Sequence, residues 1–121
     1  MIRSLDDLAA HLRSFAAERD WEQFHSPKNL AMALGVEVAE LAEHFQWLTQ
    51  EQSLRLQPSK REAVEEELAD VLIYLVRLAD RLNVDLLDAA ERKLARNAEK
   101  YPAERCRGRA DRPESGKGTT P

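Results

Sequence analysis

Cysteine is nearly missing from this sequence: the lone thiol, Cys106, sits near the C-terminal end. One cysteine can neither close a disulfide nor complete a thiolate cage within a chain, so a disulfide framework and a cysteine zinc site are both excluded. A reducing, cytoplasmic setting is the expectation. Four glycines and 6% aromatics are too few for a sheet with many tight turns. No apolar run approaches the roughly twenty residues that span a bilayer, and Asp6 and Asp7 stand where a secretory leader needs apolar residues, so a chain without membrane contact is expected. A basic surface is lacking too. The formal charge is −4, and residues 103–121 hold five basic and three acidic side chains, which leaves the preceding body near −6. Such a body does not favour nucleic acid.

What is present is Leu, Ala, Glu and Arg, the composition of helices. Leu5, Leu8, Leu12 and Phe15 recur at helical spacing behind a Ser4–Asp7 capping signal, to about Asp20. Ser26-Pro27 suits the start of a second helix, predicted to run to about Thr49. Pro58 suits the start of a third, reaching about Leu82, and Asn83-Val84-Asp85 turns into a fourth that Pro102 stops. The spacing thus predicts an all-α fold, an antiparallel bundle of about four helices over residues 1–102. Residues 103–121 are expected to form a disordered basic tail, since they hold too little apolar surface to offset the entropy of ordering.

On the second helix Leu34, Val38, Leu41, Phe45 and Leu48 read as the core stripe, with Glu37, Glu40 and His44 each one residue ahead of a stripe member. The third helix repeats the pattern: Val64, Leu68, Val71, Leu75 and Leu78 read as core, flanked by Glu67, Asp70 and Tyr74. A fourth-helix stripe offers Lys93, Asn97 and Lys100. No Lys or Arg falls between Lys28 and Arg55 or between Arg61 and Arg77, so these acids have no basic partner within their own stretch. Like charges three or four residues apart repel, and a cation is therefore expected between the helices. An all-oxygen set suits a hard ion such as magnesium or manganese, and such an ion suits a polyphosphate guest. His44 reads as an exposed neighbour rather than a ligand.

The motifs E-V-A-E at 37–40, E-L-A-D at 67–70 and K-L-A-R-N-A-E-K-Y-P at 93–102 resemble the all-α nucleotide pyrophosphohydrolases of the MazG type. R-D-W-E-Q-F-H at 19–25, E-L-A-E-H-F-Q-W at 40–47 and E-E-L-A-D-V-L-I-Y-L at 66–75 look most like their dCTP pyrophosphatase branch. The resemblance implies Mg2+-dependent hydrolysis of a (d)NTP to monophosphate and pyrophosphate, with dCTP or a modified pyrimidine triphosphate as substrate and Mn2+ as a substitute ion. It implies a homodimer or homotetramer. By motif, Glu37, Glu40, Glu67 and Asp70 would hold the metal; Glu37 or Glu40 is further expected to orient the attacking water. Lys93, Asn97, Lys100 and Tyr101 would meet phosphates or sugar, and Trp21, His25, Trp47 and Tyr74 the base and sugar. One departure is visible: Val36 stands where many relatives carry Glu. The alternatives are a related hydrolase for another nucleotide such as dUTP, or a non-catalytic helical binding module.

Overall fold

The helix starts follow from local chemistry. In the computed structural model, which describes residues 1–110, Ser4 accepts a hydrogen bond from the Asp7 amide at 3.0 Å and opens α1 (Leu5–Glu18). Asp20, at φ 54°, takes the left-handed conformation that ends this helix, and a 3-10 turn over Glu22–Phe24 carries the chain to Ser26. Ser26 caps α2 (Pro27–Glu43), with Pro27 in the first turn. This helix ends earlier than the expected Thr49. After Glu43 the backbone tightens into turns, the His44 and Phe45 amides reaching the Leu41 and Ala42 carbonyls at 3.2 and 3.0 Å, and Thr49 then forms a capping box with Gln52 for the one-turn α3 (Gln50–Ser53). Pro58 opens the long α4 (Pro58–Arg81), and Asn83 at φ 55° closes it. Asp85 caps α5 (Leu86–Lys100), and a further turn, α6 (Ala103–Cys106), lies where an unstructured tail was expected. Residues 111–121 of that expected tail lie outside the described residues.

Among the described residues the fold is all helical, six helices and no strand. It forms two compact units, one from Met1 to Val84 and one beginning at Asp85. In the first, α4 packs chiefly against α2 and also against α1. Arg13 of α1 pairs with Asp80 of α4 at 2.6 Å. The core is small: Ala16, Leu30, Val64, Val76 and Ala79, with Arg77 among them. Two of the expected core stripes therefore need correction. Val38 is 47% and Leu68 51% exposed, and Leu75 is open as well. Helical periodicity marks which residues are apolar together, but the neighbours α4 finds within this unit cover only part of that face. No helix among the described residues is long and apolar enough to cross a membrane.

Candidate functional site

The packing of α4 on α2 brings Glu67 and Asp70 opposite Glu37. One carboxylate oxygen from each of the three lies within 4.8 Å of the other two. Glu40 is outside this set, although its carboxylate acts on Glu37 through charge and a side-chain hydrogen bond. Oε2 of Glu37 and Oε2 of Glu67 are enclosed without any hydrogen-bond partner. Enclosed carboxylate oxygens facing one another are costly unless a proton or a cation joins them. Burial first, then the hydrogen bond with Glu67 and the nearby Glu40 and Asp70, raises the Glu37 carboxyl to about 7.

His44, expected to be an exposed neighbour, is partly buried beside the cluster. Its Nε2 stands 4.0 Å from Glu67 Oε1, and its Nδ1 lies 3.3 Å from Lys60 Nζ. Lysine has only donors, so Nδ1 accepts and the proton of a neutral ring faces Glu67.

Beside the acids lies a cavity of about 310 Å³, toward the small end of ligand pockets. Leu12, Phe15, Leu30 and Ile73 give it apolar walls, and Trp21, His25, Tyr74, Arg77 and Asp70 complete the lining. Trp21 meets Phe15 edge to face at 5.8 Å between ring centroids, and His25 in the same manner at 6.4 Å. Asp70 belongs both to the acid cluster and to the cavity lining, so a carboxylate cluster that could hold a cation and an apolar, aromatic pocket adjoin. That pairing suits a ligand with a flat ring at one end and concentrated negative charge at the other.

A model of the MazG-like family matches residues 32–111. The chain belongs to the MazG-like family. Its relatives include dCTP pyrophosphatase 1 of Rattus norvegicus, 50% identical over 109 residues, which cover 88% of this chain and 64% of the rat protein. The Homo sapiens protein of the same name is 51% identical over 106 residues, 86% of this chain and 62% of its own length. The chain thus spans a little under two thirds of the length of these relatives. A crystal structure described as a pyrophosphatase from Archaeoglobus fulgidus superposes with a TM-score of 0.77 at 40% identity, covering 84% of this chain and 95% of that one.

Of the residues singled out from the sequence of this MazG-like chain, the structure gathers Glu37, Glu67 and Asp70 into one cluster and Trp21, His25 and Tyr74 around one cavity. Trp47 is 87% exposed and is not part of that cavity lining. Lys93, Asn97 and Lys100 lie on α5 and Tyr101 caps it, within the unit that begins at Asp85. Asn97 is half-buried and its carbonyl accepts the Tyr101 amide at 2.8 Å. Sequence reasoning passed over Arg77, buried at 4% exposure on the cavity wall. An arginine between Val76 and Leu78 in an otherwise apolar run was the available signal.

Proposed function

We propose that the chain is a nucleoside-triphosphate pyrophosphohydrolase that splits dCTP, or a modified pyrimidine dNTP, into the monophosphate and pyrophosphate. The observation that carries this is the sharing of Asp70 between an acid cluster and an aromatic cavity. The names of the relatives, dCTP pyrophosphatase 1 and a pyrophosphatase, point to the same chemistry.

The donor set fits Mg2+: only oxygens, two of them enclosed and unpartnered. Glu37, Glu67 and Asp70 would hold the ion, with Glu40 alongside. When bound, a divalent ion neutralises phosphate charge and makes a water molecule more acidic. The chain's own part is to place the reacting groups. The cavity takes the ring, Asp70 marks the side on which the phosphates lie, and Glu37 or Glu40 accepts the proton of the water whose oxygen bonds to the α-phosphorus. The bond from that phosphorus to the bridging oxygen breaks, and pyrophosphate leaves with the electron pair. On the motif alone, Lys93, Asn97, Lys100 and Tyr101 are proposed to meet the phosphates and sugar of a triphosphate, and Trp47, which is not part of the cavity lining, to meet its base.

A homodimer or homotetramer is part of this proposal. Met32 and Val36 on α2 and Leu68, Leu72 and Leu75 on α4 are exposed one or two turns apart, and no residue of α5 is buried. Uncovered apolar stripes of this kind suit a second copy of the chain. A panel of canonical and modified dNTPs with Mg2+, with products identified, tests the function. Monophosphate plus pyrophosphate supports it, and diphosphate plus phosphate contradicts it.

A further inference from the structure

A buried guanidinium is costly unless its N–H groups are used, so the partners of Arg77 show its purpose. Its Nε donates to His25 Nδ1 at 3.2 Å, its Nη1 faces Asp80 Oδ2 at 3.5 Å, and its Nη2 is enclosed without a partner. Arginine has donors only. His25 Nδ1 is therefore the lone-pair nitrogen, and a neutral ring carries its proton on Nε2. The ring is kept neutral as well: burial first, then the charges of Arg77 and Arg81, lower its pKa against a smaller opposing pull from Glu22. Arg81 Nε also donates to the His25 carbonyl at 3.1 Å, so α4 grips this residue at both backbone and ring. Nε2 of His25 has no hydrogen-bond partner among the described residues. His25 and Arg77 both line the cavity.

Building on the pyrimidine-triphosphate reading above, we propose that Arg77 determines base specificity by fixing His25 as its Nε2–H tautomer, so that the cavity offers a permanent donor to the N3 lone pair of cytosine. Uracil and thymine carry N3–H and set donor against donor. A free imidazole adapts to such a partner by moving its proton to the other nitrogen. Here that move places an N–H of His25 against the N–H of Arg77, and discrimination follows from the group that cannot change. Arg77 is a positioning residue, acting on the base through His25.

The test uses the full chain, with Arg77→Lys and Arg77→Gln beside wild type. Lysine is also donor-only and holds Nδ1 as acceptor, whereas an amide can donate or accept. The 15N shifts of the His25 ring, read without substrate, report which nitrogen carries the proton. The ratio of kcat/KM for dCTP over dUTP reports the consequence. Wild type and R77K are expected to show a protonated Nε2 and a bare Nδ1, with R77K keeping the ratio. R77Q is expected to show averaged ring shifts and a ratio at least tenfold lower. Unchanged shifts or an unchanged ratio in R77Q overturns the proposal, as does an equal fall in R77K and R77Q. If R77Q does not fold, His25→Ala, which removes the donor, carries the same expected fall and the same refutation. A wild-type chain that hydrolyses neither triphosphate contradicts the proposed function. The comparison then passes to dCMP and dUMP binding, where a preference for dCMP that R77Q loses upholds the role of Arg77 and equal binding in wild type overturns it.

Discussion

Replacing Glu37 with glutamine in the metal-free chain is expected to flatten the pH dependence of its stability. In the folded chain the Glu37 carboxyl is raised from 4.5 to about 7. Between those values the folded state holds a proton that the unfolded state has lost, so stability falls as pH rises. The contribution is intact below about pH 4.5 and gone above about pH 7. Every tenfold gain in proton affinity on folding is worth about 1.4 kcal/mol, which sets a ceiling of roughly 3 kcal/mol, and water at this partly exposed side chain reduces that to about 1–2 kcal/mol. For a chain of this size the change corresponds to about 5 °C or more in Tm. The assay is urea unfolding in EDTA from pH 5 to 8.5, at fixed protein concentration because association adds to apparent stability. Wild type loses stability across this range and E37Q loses much less. Saturating Mg2+ reverses the wild-type slope, since the ion binds the deprotonated cluster and favours it more as pH rises. A wild-type curve that rises with pH in EDTA, or a constant difference between wild type and E37Q, rules out a shared proton at Glu37.

Glu67→Gln removes one carboxylate from the three-oxygen cluster, and calorimetry is expected to show Mg2+ affinity lowered at least tenfold while helical content is kept. Trp21→Ala opens the aromatic wall of the cavity; loss of base stacking is expected to raise KM for dCTP about tenfold or more, with kcat changed less. Leu68→Glu combined with Leu72→Glu charges the exposed stripe of α4, and sedimentation is expected to show a smaller particle than wild type, whereas an unchanged size removes this face from any subunit contact.

The helix starts were legible because each is encoded by neighbours: Ser4 with Asp7, Ser26 with Pro27, Pro58, and Asp85 with Asp88. The end of α2 was not, because the apolar period continues past Glu43 while the backbone tightens into turns from His44 to Leu48 before Thr49 caps the next helix. The acid cluster could be anticipated from Glu37, Glu67 and Asp70 standing at matched offsets without basic neighbours, a local pattern with a global consequence. Glu40 shares the spacing and acts on Glu37, but its carboxylate is not one of the three that lie within 4.8 Å of one another. The cavity was less visible. Leu12 and Phe15 look like ordinary core positions, and only the packing of α1 and α4 turns them into a wall beside Trp21. Val38 and Leu68 show the opposite limit: apolarity marks a face for burial without saying which partner covers it. Arg77 and His25 are 52 residues apart, and their hydrogen bond belongs wholly to tertiary structure.

If the carboxylates between α2 and α4 hold the ion with which a triphosphate bound in the adjoining cavity is cleaved, hydrolysis must depend on both the ion and Asp70. Pyrophosphate release from dCTP, measured with and without Mg2+ in wild type and in Asp70→Asn, tests this most directly. Wild type with Mg2+ is expected to yield equal amounts of dCMP and pyrophosphate, and none above background in EDTA. A folded D70N is expected to be at least a hundredfold slower. A folded D70N that hydrolyses dCTP at the wild-type rate contradicts the assignment of the site.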